Sequence, residues 1–423
     1  MEEWKEYKLE EISYLSTGFP FKGNKYSKDG IRVVRGDNVT IGQLRWDAEK
    51  DKRWNEFFER ESEFSLRAND IVIGMDGSRV GMNRAQIKES DLPLLLAQRV
   101  ACVRNNDKSV QKFLYYHIFS KRFVDYVKAI HTGTSIPHIS LKQIGDFTIQ
   151  LPSLAIQQKI ANILSSLDDK IEVNRRINEQ LEELAGALFK SWFVDFEPFK
   201  DGEFVESELG MIPKGWKVGT FSNVVDSTLG GDWGKENEQG NYTKEVFCIR
   251  GADIPEIKIG NRGKMPIRYI LEKNFAKKSL ANNDLVVEIS GGSPTQSTGR
   301  VCRVTSGLLE KYNNSLICTN FCRAIKPFAK YSTYIYYYWQ YLYDQGTMFN
   351  YENGTTGIKN LMINDILDKE PIVVPPINIV EQYKDVVETF ATKIQKNGEE
   401  IEKLTTLRDT LLPKLMSGEI DVK

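Results

Sequence analysis

Several kinds of catalytic residues are scarce or missing in this sequence of 423 residues. It has three histidines (His117, His131 and His138), so a histidine-based acid–base site has little support. A G-x-x-x-x-G-K-[ST] phosphate-binding loop does not occur, because the two Gly-Lys pairs are followed by Glu236 and Met265. An N/D-P-P-aromatic segment, which an amino-methyltransferase needs, is also missing. These absences argue against an enzyme that works alone.

Charge, cysteine content and hydrophobic runs set further limits. The 57 Lys and Arg residues nearly balance the 58 Asp and Glu residues, so the chain is not a polycation. There is no run of about 18 apolar residues, and we expect no membrane span. The five cysteines are scattered and odd in number, which indicates reduced thiols in a cytoplasmic protein. Cys318 and Cys322 are close in sequence, but no nearby Cys or His completes a zinc site, so we predict no metal.

The sequence contains two copies of one pattern. The stretch "NDIVIGMDGS" at 69–78 matches "NDLVVEISGG" at 283–292, and "GTSIPHI" at 133–139 matches "GTTGIKNL" at 354–361 with one insertion. Further along, Leu181 aligns with Leu404 at an offset of 223 that stays constant through two helical stretches. Because the matches keep their order over about 200 residues, we infer an internal duplication.

Each copy is predicted to be a globular part followed by one long helix. Short β-branched runs such as "IRVVRG" and "DLVVEI", broken by Gly, Asn and Asp, predict mostly β structure with some helix at 1–150 and 213–372. The segments 151–197 and 373–423 are the predicted helices. The predicted linker is 198–212, within the stretch "PFKDGEFVESELGMIPKG" at 198–215, which has Pro and Gly at both ends. The fold class is therefore α+β.

The two long helices carry apolar residues at a 3.5-residue period, which is typical of a coiled-coil seam. Asn174 and Asn397 interrupt the seams at equivalent places, where a buried Asn fixes the register. We expect four further apolar residues to widen the stripe: Ile163, Ile177, Leu184 and Leu407. The alternative is that each helix packs on its own globular part.

Connectivity predicts that the two helices pair in antiparallel fashion, with pseudo-two-fold symmetry. About 38 residues of helix span roughly 57 Å, so the pair holds the two globular parts apart. Two similar parts at a fixed separation suit two half-sites on a DNA duplex. Because the parts differ in sequence, the half-sites are expected to differ.

The segments "LPSLAIQQKIANILSSLDDKIEVNRRINEQ", "SELGMIPKGW" and "LLPKLMSGEI" resemble the DNA-specificity (S) subunit of type I restriction–modification enzymes. The resemblance covers the whole chain, with 1–150 and 213–372 as target-recognition domains and the helices as spacers. It implies a subunit without catalysis or cofactor that binds double-stranded DNA and two methyltransferase subunits, mainly through the coiled coil. Restriction subunits join that core, and the partners use S-adenosylmethionine, ATP and Mg to methylate adenine in a bipartite site or to cut DNA.

Two equivalent loops are the first candidates for DNA contact. The loops at 74–84 and 290–300 each follow a predicted strand and mix Gly, Ser or Thr, and Arg. Glycine lets the backbone approach DNA, and arginine or glutamine can pair with a guanine or an adenine edge. The candidates are Arg79, Arg84, Gln296 and Arg300. The alternative is an ordinary exposed hairpin.

A second pair of loops lies at 132–140 and 353–361. Their hydroxyls suit phosphate positioning, and the family resemblance implies a similar T-G-x-I segment here. The candidates are Thr134, Ser135, His138, Thr355, Thr356, Lys359 and Asn360. The alternative is a structural turn. Arg35 and Arg250 lie beside apolar strands, where a structural salt bridge is as reasonable as a DNA contact.

Two other functions stay open from sequence. One is a self-contained nuclease or methyltransferase with a diverged site, which binding of S-adenosylmethionine by the lone chain would reveal. The other is a scaffold whose two globular parts bind proteins.

The helix pair predicts the spacing of the DNA site. Removing four residues from one helix shortens it by about 6 Å, roughly two base pairs of rise. The half-sites should stay the same while the gap between them shrinks, as measured by mapping methylated adenines. An unchanged gap with weaker binding would contradict the spacer role.

Overall fold

The chain divides into two compact units. The first unit is Met1–Asp169 with Thr405–Lys423, and the second unit is Lys170–Leu404. Both units combine helices with sheets, which confirms the predicted α+β class. The computed structural model describes residues 4–56, 61–130, 137–293, 296–354 and 358–422.

The first unit is built on short strands and short helices. Its strands are β1 (Lys5–Lys8), β2 (Ser13–Thr17), β3 (Ile31–Val34), β4 (Arg53–Trp54), β5 (Ile71–Gly74), β6 (Arg84–Gln86), β7 (Leu94–Leu96), β8 (Val100–Asn105) and β9 (Thr148–Leu151). Its helices are α1 (Leu9–Ile12), α2 (Glu61–Phe64), α3 (Gln111–Ile118), α4 (Lys121–Ile130) and α5 (Leu141–Gly145). The long helix α6 (Leu154–Phe193) begins in this unit and continues into the second.

Three sheets form the first unit. An antiparallel sheet has the order β2-β8-β5-β6, a mixed sheet has the order β4-β3-β7 with β3 and β7 parallel, and β1 pairs with β9. Both β5 and β7 are buried along their whole length, which accounts for their apolar runs "IVIG" and "LLL". The polar loops that follow these strands therefore leave the core at fixed points.

The second unit contains strands β10 to β23 and helices α7 to α11. The strands are β10 (Phe204–Ser207), β11 (Gly210–Pro213), β12 (Lys217–Thr220), β13 (Val225–Gly230), β14 (Tyr242–Ile249), β15 (Ile267–Leu271), β16 (Leu285–Glu288), β17 (Ser290–Gly291), β18 (Val301–Arg303), β19 (Leu316–Cys318), β20 (Cys322–Pro327), β21 (Glu352–Asn353), β22 (Lys359–Leu361) and β23 (Pro371–Val374). The helices are α7 (Ile254–Lys258), α8 (Glu272–Lys278), α9 (Ser306–Lys311), α10 (Ser332–Asp344) and α11 (Ile363–Lys369). A second long helix, α12 (Ile377–Met416), follows.

The second unit repeats the sheet order of the first. The order β13-β20-β16-β18 corresponds to β2-β8-β5-β6, and β15-β14-β19 corresponds to β4-β3-β7, with β14 and β19 again parallel. The pair β12–β23 corresponds to β1–β9. The second unit adds a small sheet, β17-β22-β21, and the hairpin β10–β11. The duplication inferred from sequence is therefore a duplication of topology.

The long helices pair in antiparallel fashion within each unit. In the second unit Asn174 contacts Glu400, whereas the later residue Ala185 accepts a hydrogen bond from Tyr383 at 3.0 Å. In the first unit Asp168 accepts a hydrogen bond of 2.8 Å from Arg408. Residues early in α6 thus meet residues late in α12, as the sequence predicted.

Three asparagines occupy the buried seam of the helix pair in the second unit. Asn174 and Asn397 are each 1% exposed, but they do not bond to each other. Asn174 donates to Glu400, and Asn397 donates to Asn178, both at 2.8 Å. Asn178, which sequence analysis did not single out, also donates to the carbonyl of Ile259 at 2.8 Å. The buried amides therefore tie the helix pair to the loop after α7.

Two details of the prediction need correction. Ile163, Leu184 and Leu407 are exposed, so they do not widen the buried stripe. The helical period places them on the side of each helix that faces away from its partner. The segment predicted as a linker includes β10 and most of β11, which form a hairpin whose two strands satisfy each other's backbone groups.

The aromatic run of α10 belongs to the core of the second unit, as predicted. Tyr334 and Trp339 are fully buried, and the Trp339 indole donates to the carbonyl of Gly299 at 2.8 Å. Burial raises the pKa of Tyr338 to about 12, so its hydroxyl stays protonated. None of the helices in the described ranges is long and apolar enough to cross a membrane.

Replacing glycine by alanine is expected to have opposite effects at two positions in the long helices. A Cβ at Gly398 would lie 2.0 Å from the carbonyl oxygen of Gly260, whereas nothing lies within 4 Å of one at Gly186. Gly186→Ala should stabilise its helix by up to about 1 kcal/mol. Gly398→Ala should destabilise the protein by about 1–3 kcal/mol, because backbone must move. Thermal unfolding of both variants measures this, and a stabilising Gly398→Ala would contradict the close approach.

Candidate nucleic-acid interface

In the first unit the two predicted DNA loops lie side by side. The loop after β5 donates from the Gly77 backbone to the carbonyl of Pro137 at 3.0 Å. Ile139 donates in turn to the carbonyl of Met75 at 2.9 Å. Ser140 then caps α5 by accepting a hydrogen bond from the backbone of Gln143. Segments far apart in sequence are thus fixed against each other by their backbones.

The second unit brings the equivalent loops together in the same way. Strand β17 pairs with β22, with Ser290 opposite Asn360. Leu361 donates to the carbonyl of Ile289 at 2.8 Å, the bond that corresponds to Ile139 and Met75 in the first unit. Tertiary structure therefore joins both predicted pairs of loops.

A third segment joins each pair of loops, and the sequence analysis missed it. It is the turn between β7 and β8 in the first unit and between β19 and β20 in the second. In the first unit the N–H of Met75 donates to the carbonyl of Arg99 at 3.1 Å, and in the second unit the N–H of Ile289 donates to the carbonyl of Phe321 at 2.8 Å. Extending the repeat alignment to "LLLAQRVACV" and "LICTNFCRAI" would have found both residues.

We call the point where these three segments meet the junction. In the first unit an open cleft of about 570 Å³ lies beside it. Its walls carry the side chains of Arg35, Arg45, Arg79 and Arg99, together with two aspartates. Four guanidinium groups around one cleft favour a polyanion or a ligand with several hydrogen-bond acceptors.

Arg35 and Arg79 lie in this cleft as the sequence suggested, with different restraints. The Arg79 side chain is exposed and has no carboxylate partner among the described residues. The Arg35 guanidinium lies 5.7 Å from the ring centroid of Tyr26 and 3.5 Å from the Lys50 carbonyl. Neither contact neutralises its charge, so both arginines can meet an anion.

Arg84 is not available to a ligand. It is buried on β6, where its guanidinium donates to the carbonyls of Gly81 and Phe119. Burial lowers the pKa of Arg84 to about 10, which still leaves it charged near neutral pH. We therefore assign Arg84 to the packing of the loop rather than to recognition.

His138 is at the junction, beside a carboxylate. Its Nδ1 lies 2.5 Å from Oδ1 of Asp76, and Arg99 Nη1 contacts both oxygens of the same carboxylate at 3.1 Å. Asp76, which lines the cleft, thus contacts both Arg99 and His138.

Two arginines of the second unit form ion pairs with buried carboxylates. Arg250 contacts Asp253 at 2.9 and 3.1 Å, so the structural alternative fits it better than a DNA contact. Burial opposes ionisation of Asp253, but hydrogen bonds from Arg250 and Lys264 still hold its pKa below the usual value. Arg300 contacts Glu288 at 2.7 and 2.8 Å, and this pairing raises the pKa of Arg300.

The other described candidates of the second unit remain near the surface. Asn360 is exposed and accepts a hydrogen bond of 2.5 Å from Ser290. Lys359 pairs with Glu352 at 2.8 Å, and Gln296 is exposed. The remaining candidates lie outside the described residues: Thr134, Ser135, Thr355 and Thr356.

Comparisons with known proteins point to one family. A family model described as "Type I restriction modification DNA specificity domain" matches residues 1–183. The chain is 30% identical over 351 residues to the "Type I restriction enzyme MjaIX specificity subunit" of Methanocaldococcus jannaschii, covering 78% of this chain and 74% of the relative. It is 25% identical over 489 residues to the "Type I restriction enzyme HindI specificity subunit" of Haemophilus influenzae, covering 99% and 100%.

One solved structure shares the fold over the whole length. The "Type-I restriction-modification system S subunit from M. genitalium" matches with a TM-score of 0.56 at 16% identity, covering 100% of this chain and 97% of that one. At this identity the likeness supports the fold alone.

The pairing of Arg300 predicts a structural rather than a recognition role. Arg300→Ala should lower the free energy of unfolding by about 3 kcal/mol, because it leaves the buried Glu288 without its partner. Arg79→Ala, at an exposed arginine, should change it by less than about 0.5 kcal/mol. Chemical denaturation measures both, and equal effects would contradict the assignment.

Proposed function

Because the chain belongs to the family of type I restriction enzyme specificity subunits, we propose that it reads the DNA target for a type I restriction–modification complex. As a member of that family it is a recognition subunit without catalysis, and partner subunits carry out the chemistry. One observation supports the reading role most directly. In each unit, loops from separate parts of the chain converge at one junction, which in the first unit borders the arginine-lined cleft.

The arginines of the cleft suit the DNA backbone. Arg35 and Arg79 have no carboxylate contact in the described structure, so their charge is available to phosphates. Contacts of this kind supply affinity that depends on salt and not on sequence. Selectivity then has to come from side chains that reach base edges or from DNA deformation.

The two units are proposed to read different half-sites. They share a topology but present different side chains at the junction, as Asp76 and Ser290 illustrate. Different donors and acceptors select different base pairs. The whole target is therefore an asymmetric bipartite site.

We propose that the partners are two methyltransferase subunits, joined by restriction subunits, and that they bind S-adenosylmethionine, ATP and Mg. The helix pair offers them exposed apolar side chains such as Val173, Leu184 and Val386. An adenine in the target has to leave the base stack to be methylated. The five cysteines are free thiols, in keeping with a cytoplasmic site of action.

The function is tested by reconstitution. The full chain is co-purified with its cognate methyltransferase subunits and given S-adenosylmethionine and a library of random duplexes. Sequencing of the methylated adenines should yield one asymmetric motif in two parts. Methylation without any shared motif, or no complex at all, would contradict the proposal.

The phosphate contacts predict a specific change in salt dependence. Arg35→Ala and Arg79→Ala should each weaken binding of the complex to all duplexes alike and should reduce the slope of log K against log salt by about 1. Arg122→Ala, at an exposed arginine of α4, is the matched control and should leave the slope unchanged. Fluorescence anisotropy at several salt concentrations measures the slopes. Identical slopes for the wild-type protein and all three variants would exclude these phosphate contacts.

A further inference from the structure

Three residues occupy matching places at the junction of each unit. In the first unit they are Asp76, Arg99 and His138, and in the second they are Ser290, Phe321 and Asn360. We call each set the tip trio. The match follows from backbone geometry and does not depend on similar side chains.

Backbone hydrogen bonds establish this match. The residue before the first member, Met75 or Ile289, donates its N–H to the second member of the trio, at 3.1 Å to Arg99 and 2.8 Å to Phe321. The carbonyl of the same residue accepts from the residue that follows the third member, at 2.9 Å in the first unit and 2.8 Å in the second. The first and third members also face each other across an antiparallel pairing in both units.

In both units the side chains of the first and third members also contact each other. Asp76 and His138 lie 2.5 Å apart, and so do Ser290 Oγ and Asn360 Oδ1. Both second members, Arg99 and Phe321, are exposed. The backbone geometry is thus the same in both units, and only the side chains at the three positions differ.

The trio of the first unit is charged. Both oxygens of Asp76 contact Nη1 of Arg99, whereas Nη2 and Nε have no acceptor among the described residues. Those two donors form one edge of the guanidinium fork. A guanine presents two acceptors, O6 and N7, to such an edge in the major groove.

The trio of the second unit is uncharged and partly apolar. Ser290 bonds to Oδ1 of Asn360, while the Nδ2 donor has no partner in the described structure. An asparagine amide can pair with N6 and N7 of adenine, and an apolar side chain can contact the methyl group of the paired thymine. Phe321 is adjacent, because the Ser290 N–H lies 3.2 Å from its carbonyl oxygen.

We propose that the tip trio selects one base pair in each half-site. Arg99 reads the guanine of a G·C pair, and Asn360 with Phe321 reads an A·T pair through adenine and the thymine methyl. The inference rests on the proposed function and adds to it the side chains and the bases they select.

The test uses the full chain in complex with its methyltransferase subunits, in three single variants: Arg99→Gln, Asn360→Ala and Phe321→Ala. Arg99→Gln should relax one G·C position in one half-site, with a loss of discrimination of roughly 10- to 100-fold. The other two variants should relax one A·T position in the other half-site. Arg122→Gln and Phe328→Ala, at exposed residues outside both trios, are the matched controls and should retain the motif.

Modified bases test the same contacts with the unaltered protein. Replacing the selected guanine by 7-deazaguanine removes N7 and should weaken binding by the wild-type complex but not by Arg99→Gln. Replacing the selected thymine by uracil removes one methyl group and should weaken wild-type binding by roughly threefold to fivefold. The Phe321→Ala complex should bind both duplexes equally.

The outcomes separate this inference from the proposed function. If the wild-type complex yields a bipartite motif that no trio variant and no modified base affects, the inference is wrong and the function stands. The same holds if the variants all relax one half-site. If the wild-type complex yields no motif, the proposed function fails, and the inference fails with it.

Discussion

The candidate interface depends on one residue in each unit whose backbone N–H and carbonyl bond to two different segments of the chain. Met75 follows the central strand β5 and is almost fully buried, so its N–H and its carbonyl must both find partners. They find them in two different segments, one from the β7–β8 turn and one that precedes α5. Ile289 does the same after β16. Three separate pieces of chain are thereby fixed at one point, and the side chains they carry can vary without loss of the frame.

Arginines in this protein have two separate roles, which burial distinguishes. Arg84, Arg250 and Arg300 are bonded to buried carbonyls or carboxylates, and removing such an arginine leaves an unpaired buried group. Arg79 and Arg99 are exposed beside the cleft, where a guanidinium loses little by exchanging water for a ligand. Sequence spacing does not separate these classes, because Arg99 and Arg300 each directly precede a short apolar strand, yet only Arg300 is bonded to a buried carboxylate.

The helix pair combines apolar packing with a buried polar cluster. Apolar residues such as Ile171, Ile394 and Ile401 are buried in the seam, but Asn174, Asn178 and Asn397 also occupy positions that are almost fully buried. Each amide is hydrogen-bonded, so a shift in register would leave these groups unpaired. The bond from Asn178 to Ile259 and the close approach of Gly398 to Gly260 also fix one loop of the second unit against the helices. Register of the pair and placement of that loop are therefore linked.

The sequence by itself determined the duplication, the α+β class, the two long helices with their antiparallel pairing, and the family. These follow from periodicity and repeated motifs, which are local properties of the chain. Sequence also located the loops at Asp76 and His138, and at Ser290 and Asn360, as places to look. Only the tertiary structure decided which side chains of those loops are free. Arg84 and Arg300 bond to buried partners and are not available to a ligand. Arg99 and Phe321 are exposed in two turns that the sequence analysis had not selected. The physical reason is that exposure and pairing depend on contacts with other segments, from 12 residues away for Arg300 and Glu288 to 70 residues away for Ser290 and Asn360.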